Sequence, residues 1–255
     1  MVYIGQTYKS IPHGSGHILN NNFEYIGNFK YGVKFDQGKI IFKNPLNIIS
    51  YDGHWINNMM YRYGKAIYVD GTIYKGNWKA NKKHGYGKLI KDNDIIYEGF
   101  WSYDNITGYG ILQSKNNIYS GFLINGNKHM FGTMQNNDEI YRGYWFNNLR
   151  DGFGTLYRPH NNIVWYEGDF YKGRMFGNGK ATYSNGSIYT GDFYDDMCHG
   201  LGKLKTNNFL YIGTFLYNII DENGKYIWND GTTYSGEIKS KKLHGKGILH
   251  TQQGH

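Results

Sequence analysis

The 255-residue chain contains one cysteine and three prolines. A lone Cys198 cannot close an internal disulfide, which points to a reducing, intracellular compartment. No apolar run approaches the ~18 residues that a membrane-spanning helix needs. The opening stretch MVYIGQTYKS lacks the basic-then-apolar order of a secretory signal, and neither Val2 nor the final Gln-Gln-Gly-His indicates lipidation. No Gly-x-Ser-x-Gly elbow, kinase motif set or deaminase-type His-x-Glu with a cysteine pair is present. Gly85-Tyr-Gly87-Lys88 looks like part of a phosphate loop, yet no helical periodicity follows it, and a phosphate cradle opens a helix. Enzymatic activity and a bound cofactor are therefore not expected. The net charge of +8 admits an acidic partner without identifying one.

What the chain has in quantity is glycine, with 36 residues, and tyrosine, with 26. Without a three-residue glycine period, that combination suggests strands joined by tight turns. A Tyr-x-Gly unit recurs at Tyr3, Tyr25, Tyr51, Tyr74, Tyr97, Tyr119, Tyr141, Tyr166, Tyr189, Tyr211 and Tyr234, at spacings of 22 to 26 residues. A period in this range marks a stacked repeat array. One continuous array filling residues 1–255 leaves no room for a catalytic domain.

With tyrosine as offset zero, glycine stands at +2 and +13 in every repeat, and an apolar residue at +15. A large apolar residue occupies +4 in all but the first repeat, where Thr7 stands. Offsets 0, +2 and +4 share one face of a strand, and +13 and +15 one face of the next. Glycine inside a strand needs a reason. Here the reason is room for an aromatic ring to lie flat over the backbone. Asp70-Gly71, Asn185-Gly186 and Asp230-Gly231 predict two-residue turns with positive φ between repeats. Pro45 and Pro159 fall in the two longest spacers, and Pro12 is assigned to the hairpin loop of the first repeat. Each repeat thus reads as one β-hairpin. The expected fold is all-β: an elongated, twisted, antiparallel sheet of stacked hairpins, a solenoid-like ribbon roughly 100 Å long at ~4.8 Å per strand.

Tyr74-x-Gly76-x-Trp78 with His84-Gly85-x-Gly87, and Tyr189-x-Gly191-x-Phe193 with His199-Gly200-x-Gly202, resemble MORN (membrane occupation and recognition nexus) repeats. The resemblance covers essentially the whole chain, although the His-Gly pair is Phe35-Asp36, Tyr61-Arg62 and Asp221-Glu222 in three copies. It implies a groove along one face of the sheet. It also implies the roles of the family: cytoskeletal scaffolds, membrane-junction proteins, ciliary spoke components and accessory modules of lipid kinases or a methyltransferase.

Five histidines occupy +10: His13, His84, His129, His199 and His244. The same offset holds Phe35, Tyr61, Thr107, Asp151, Phe176 and Asp221, and successive histidines lie ~20 Å or more apart along a ladder. Zinc needs its donors within ~2.3 Å of one ion, so the histidines read as structural, hydrogen-bonding residues. Cys198 and His199 are neighbours on a strand and point to opposite faces, which excludes a dyad. The +4 rings Trp55, Trp78, Trp101, Trp145, Phe170, Phe193 and Phe215 form the candidate partner-binding face. Lys79, Lys82, Lys83, Lys172, Arg174, Lys239, Lys241 and Lys242 are assigned to hairpin loops along one edge, as candidate contacts for an anionic membrane. Nucleic-acid binding is not expected, because the rings are needed by the sheet. Residues 211–250 are expected to pair with another copy or with a partner through an exposed strand. The expected function is a non-enzymatic scaffold linking proteins to cytoskeletal, ciliary or membrane assemblies in the cytoplasm. An anionic-lipid module and a regulatory subunit of an enzyme are the alternatives.

Overall fold

A computed structural model describes residues 1–239 and 242–251 of the protein. Among them all regular structure is β, and no helix is long and apolar enough to cross a membrane. The chain divides into two compact units, Met1–Asn127 and Lys128–His255.

The first unit runs β1 (Val2–Tyr8), β2 (Ile11–Leu19), β3 (Phe23–Lys30), β4 (Val33–Phe42), β5 (Ile48–Ile56), β6 (Met59–Tyr68), β7 (Ile73–Lys79), β8 (Lys82–Lys91), β9 (Asp94–Ser102), β10 (Asn105–Ser114) and β11 (Asn117–Ile124). The second runs β12 (Asn127–Gln135), β13 (Ile140–Phe146), β14 (Leu149–Tyr157), β15 (Ile163–Tyr171), β16 (Arg174–Tyr183), β17 (Ile188–Tyr194), β18 (Met197–Lys205), β19 (Phe209–Leu216), β20 (Ile219–Trp228), β21 (Thr233–Lys239) and β22 (Lys242–His250). Within each unit every strand pairs antiparallel with its neighbour in sequence.

The register explains the glycines. Each strand contributes one glycine to a single row, so that Gly27 faces Gly38, Gly38 faces Gly53 and Gly53 faces Gly64, and in the second unit Gly143 faces Gly154, which faces Gly168. The tyrosine of each repeat lies over this row. A Cβ added at Gly64 would stand 2.3 Å from the Tyr51 hydroxyl and 2.4 Å from its ring. A β-bulge between +2 and +4 leaves the +3 residue without a partner in its own hairpin. The tyrosine hydroxyl donates to that +3 carbonyl: Tyr25 to Asn28, Tyr51 to His54, Tyr74 to Asn77 and Tyr166 to Asp169, at 2.8–3.1 Å. Every repeat thereby satisfies its own buried phenol.

The turns are distributed differently from the expectation. Two-residue turns with positive φ at both positions occur inside the repeats, at Asn57-Asn58, Ala80-Asn81, Tyr103-Asp104, Asn147-Asn148, Asp195-Asp196 and Tyr217-Asn218. Asp70-Gly71, Asn185-Gly186 and Asp230-Gly231 instead belong to three-residue loops closed by Tyr68–Thr72, Tyr183–Ser187 and Trp228–Thr232 hydrogen bonds, with positive φ only at glycine. Asp70 and Asn185 use their side chains to hold the following amides of Thr72 and Ser187, a turn that favours Asx residues for a different reason.

The inner turns also join repeat to repeat. The +7 side chain accepts the amide of the +9 residue one repeat earlier: Asn58 from Lys34, Asn81 from Met60, Asp104 from Lys83, Asp196 from Met175 and Asn218 from Cys198, at 2.8–2.9 Å. The +7 amide donates back to the +9 carbonyl, as from Asn81 to Met60. Pro12 occupies +9 in the first repeat, inside β2 rather than in a loop. It has no amide to offer, and opposite it stands Gly32, which has no side chain to receive one and donates its own amide to the Pro12 carbonyl.

Candidate functional site

The tyrosines and the +4 rings form an edge-to-face zipper. Where +4 is aromatic in both repeats, the tyrosine touches the ring of its own repeat and that of the next: Tyr51 meets Trp55 at 5.1 Å and Trp78 at 5.3 Å, and Tyr166 meets Phe170 at 5.1 Å and Phe193 at 5.0 Å, with planes 83–90° apart. Thr7, Leu123 and Ile238 stand at +4 in the other repeats. Such pairs add about 0.5–1.5 kcal/mol each beyond area burial. The indole N–H groups of Trp55, Trp78, Trp101 and Trp145 donate to the carbonyls of Gly38, Gly64, Gly87 and Gly132. Burial pushes Tyr97 and Tyr211 up to about 12 and also raises Tyr25, Tyr51, Tyr74 and Tyr141.

The seven rings read as a partner-binding face, Trp55, Trp78, Trp101, Trp145, Phe170, Phe193 and Phe215, are only 3–6 % exposed. They are walls of the zipper, covered by flanking tyrosines and by the +9 side chain opposite. That +9 row changes character along the chain: in the first unit it alternates lysine with an apolar residue, as Lys34, Met60, Lys83 and Ile106, and only from Met175 on is it apolar without interruption. Lys34 and Lys83 lie over the rings of Trp55 and Trp101, and Lys128 over Trp145. Burial lowers the pKa of all three lysines. Arg150 follows, ion-paired with Glu139, which Arg158 also holds at 3.0 Å. Beyond it the row becomes apolar, with Met175 opposite Phe170, Cys198 opposite Phe193, Ile220 opposite Phe215 and Leu243 opposite Ile238.

Where the row turns apolar, the zipper face of the second unit opens into a groove of two adjoining cavities sharing Leu204, Phe215 and Asn218. One, of about 760 Å³, includes Arg158, Tyr183, Met175 and Cys198 in its lining. The other, of about 460 Å³, is walled by Phe209, Ile220, Tyr226, Trp228 and Leu243. Cys198 is buried and shares a hydrogen bond of 3.2 Å with the Tyr183 hydroxyl; burial raises the pKa of both. His199 points away and packs on Tyr217, ring centroids 4.8 Å apart. The Nδ1 atoms of His13, His84, His129 and His199 are buried without a hydrogen-bond partner, and their rings pack on Tyr31, Tyr103, Phe146 and Tyr217. These histidines serve as aromatic wedges, not through the hydrogen bonding expected of them.

The lysines are separated by strand alternation. Lys79 ends β7 and lies over Tyr103, which raises its pKa through a hydrogen bond. Lys82 opens β8 and pairs with Asp104 at 2.8 Å, whereas Lys83 turns to the zipper. Lys172 lies in a turn over the Tyr171 ring, and Arg174 pairs with Asp195. Lys239 and Lys242 are exposed strand ends, and Lys241 lies outside the described residues.

The opposite face carries a second set of rings that the repeat reading passed over. Tyr63, Tyr86, Tyr109, Phe131 and Phe153 occupy +12 in five successive repeats and are 45–58 % exposed. Their signal was their constancy at one offset of wet-face parity.

The architecture is that of a β-hairpin repeat protein in which every unit shares its buried ring with the next. The chain belongs to the MORN repeat family, whose model matches at residues 51–73, 74–94, 97–117, 119–138, 141–161, 166–188, 189–208, 211–233 and 234–255. MORN repeats occur in proteins that mediate membrane or protein interactions, and the repeat is generally a non-enzymatic module. The hairpins that begin at Tyr3 and Tyr25 repeat the same hydroxyl bond and glycine pairing. Comparison with curated proteins finds no match.

Proposed function

We propose that the protein is a non-catalytic scaffold that holds the apolar face of a short protein segment in the zipper-side groove of its second unit. The observation that carries this is the +9 row's change from Lys128 and Arg150 to Met175, Cys198, Ile220 and Leu243, which leaves an apolar trough beside Trp228. Aromatic and aliphatic walls with a few polar groups are what ligand sites use. Arg158 and Asn218 at the rim would orient the segment. The assemblies served are cytoskeletal, ciliary or membrane-associated and cytoplasmic, in keeping with the family.

The test is proximity labelling in the native cell with the tagged full chain and its Ile220→Asp, Leu243→Asp variant. Neither residue is fully buried, so the melting curve is expected to hold while a reproducible set of partners disappears. An unchanged partner set refutes the groove. Binding of anionic lipid by the basic edge ranks second, because Lys82 and Arg174 are already neutralised by Asp104 and Asp195 and exposed lysines contribute only ~1 kcal/mol each. Regulation of a separate catalytic chain is the groove reading with an enzyme as the partner.

A further inference from the structure

The zipper occupies one face of each sheet, so the rings on the other face of the first unit have no part in it. Tyr63, Tyr86, Phe100 and Tyr109, on β6, β8, β9 and β10, are 45–58 % exposed. Tyr86 donates its hydroxyl to Glu98 on the next strand, and the Tyr109 hydroxyl bonds Ser120 on the next strand at 2.9 Å. Both partners sit two residues along from the position directly opposite. A ring tethered diagonally in this way lies down on the sheet and turns one π-face to solvent.

Two residues along the same strands runs a basic row. Lys65 on β6 is directly opposite Lys75 on β7, and Lys75 is directly opposite Lys88 on β8. Like charges in register destabilise a sheet. Lys88 is offset by Glu98 at 3.0 Å; Asp52 faces Lys65 in register, and no ion pair of Lys65 or Lys75 occurs among the described residues. An anion bound from outside would relieve this row. Between the two rows lies a concavity of about 500 Å³, bounded by Tyr63, Tyr86, Lys75, Lys88 and Ile95 over the backbone of Gly76 and Gly87. The rows are ~7 Å apart, the rise of two strand residues.

We propose that this outer face of residues 1–127 binds single-stranded nucleic acid, its bases stacking on Tyr63, Tyr86 and Tyr109 and its phosphates meeting Lys65 and Lys75. Flat aromatic platforms beside a track of cations are how sequence-tolerant single-strand binders work. A bilayer would draw on rings that protrude, whereas Tyr86 and Tyr109 are tethered to the sheet; it would also dehydrate Asp52 and Glu98. An acidic peptide would use the lysines and leave the exposed π-faces without a role. The objection that the rings are needed by the sheet applies to the zipper set alone.

The experiment is fluorescence anisotropy of the full chain with a labelled uridine oligomer of about twelve nucleotides, across a salt series. Binding is expected to weaken with salt, with a log–log slope near about −1.4 for two phosphates at ~0.7 each. Tyr63→Ala and Tyr86→Ala are each expected to weaken binding about tenfold, and Lys75→Gln to reduce the slope by about 0.7. Lys172→Gln, on the second unit, is expected to change neither, and all variants to melt like the parent. Absence of binding at low salt, or ring variants that bind like the parent, overturns the proposal. So does equal affinity for polyglutamate or for phosphatidylserine vesicles, which would make the row an unselective polyanion patch.

Discussion

Gly87→Ala is the sharpest perturbation of the zipper. The added methyl would stand 2.3 Å from the Tyr74 hydroxyl oxygen and 2.5–2.6 Å from two ring carbons, and Gly87 has no positive φ to complicate the reading. The ring must lift. Lifting forfeits its contacts with Trp78 at 5.2 Å and Trp101 at 5.4 Å and its 2.9 Å bond to the Asn77 carbonyl. Two aromatic contacts at about 0.5–1.5 kcal/mol each and one hydrogen bond at about 1 kcal/mol give a loss of about 2–4 kcal/mol. Alanine returns about 0.5–1 kcal/mol, because glycine loses more freedom on folding. The expected net destabilisation is about 1–3.5 kcal/mol, read as a shifted urea midpoint with faster amide exchange in β7 and β8. In a Tyr74→Ala background the methyl has space, and the same glycine substitution is expected to become neutral or mildly stabilising. A Gly87→Ala chain as stable as the parent, or an equal cost in both backgrounds, refutes the idea that the glycine row exists to admit the ring.

Asn81→Gly keeps the positive φ and removes the acceptor for the Met60 amide, so a loss of about 1 kcal/mol is expected, with faster exchange at that amide. Asn81→Ala adds about 1–2 kcal/mol more, because φ of 65° suits glycine and asparagine better than alanine. The zipper phenols have raised pKa values in the folded chain, about 12 at Tyr97 and Tyr211, against about 10 when unfolded. Below pH 10 both states hold the proton and the stabilisation is fully present; between pH 10 and 12 only the unfolded chain releases it, so stability falls as pH rises. A second step of phenolate absorbance, beyond that of the exposed tyrosines, that appears only together with loss of the β signal would bear this out. Ionisation of the full tyrosine complement well before unfolding would not.

The repeat, the hairpins and the same-face alternation were legible because each rests on short-range periodicity, and the glycines at +2 and +13 already implied a ring lying over them. The turn assignment erred at Asp70-Gly71, because an Asx residue before glycine suits a three-residue loop as well as a two-residue one. The pairing of Asn58, Asn81 and Asp104 with the preceding repeat was hidden, since a turn asparagine is ordinarily explained by its own turn. Trp78 and Phe193 were read as accessible because pattern alone gives a face and not what covers it. The covering comes from +9, where Lys83 and Cys198 share no chemistry. For the same reason the groove could not be read: it depends on Met175, Ile220 and Leu243 meeting Leu204 and Trp228 across strands.

Each hairpin answers its own phenol and takes hold of its predecessor by the same bond from the +7 amide to the +9 carbonyl, as at Gly32, Asn81, Gly126 and Asn218, which makes the length of the array adjustable. Excising residues 74–96 would bring Gly99 to Gly64, Trp101 to Tyr51 and Asp104 to the Met60 amide, each replacing a like partner. Natural lineages could thus add or drop whole hairpins without disturbing the joints that remain, altering the distance between docking positions while leaving the manner of joining untouched.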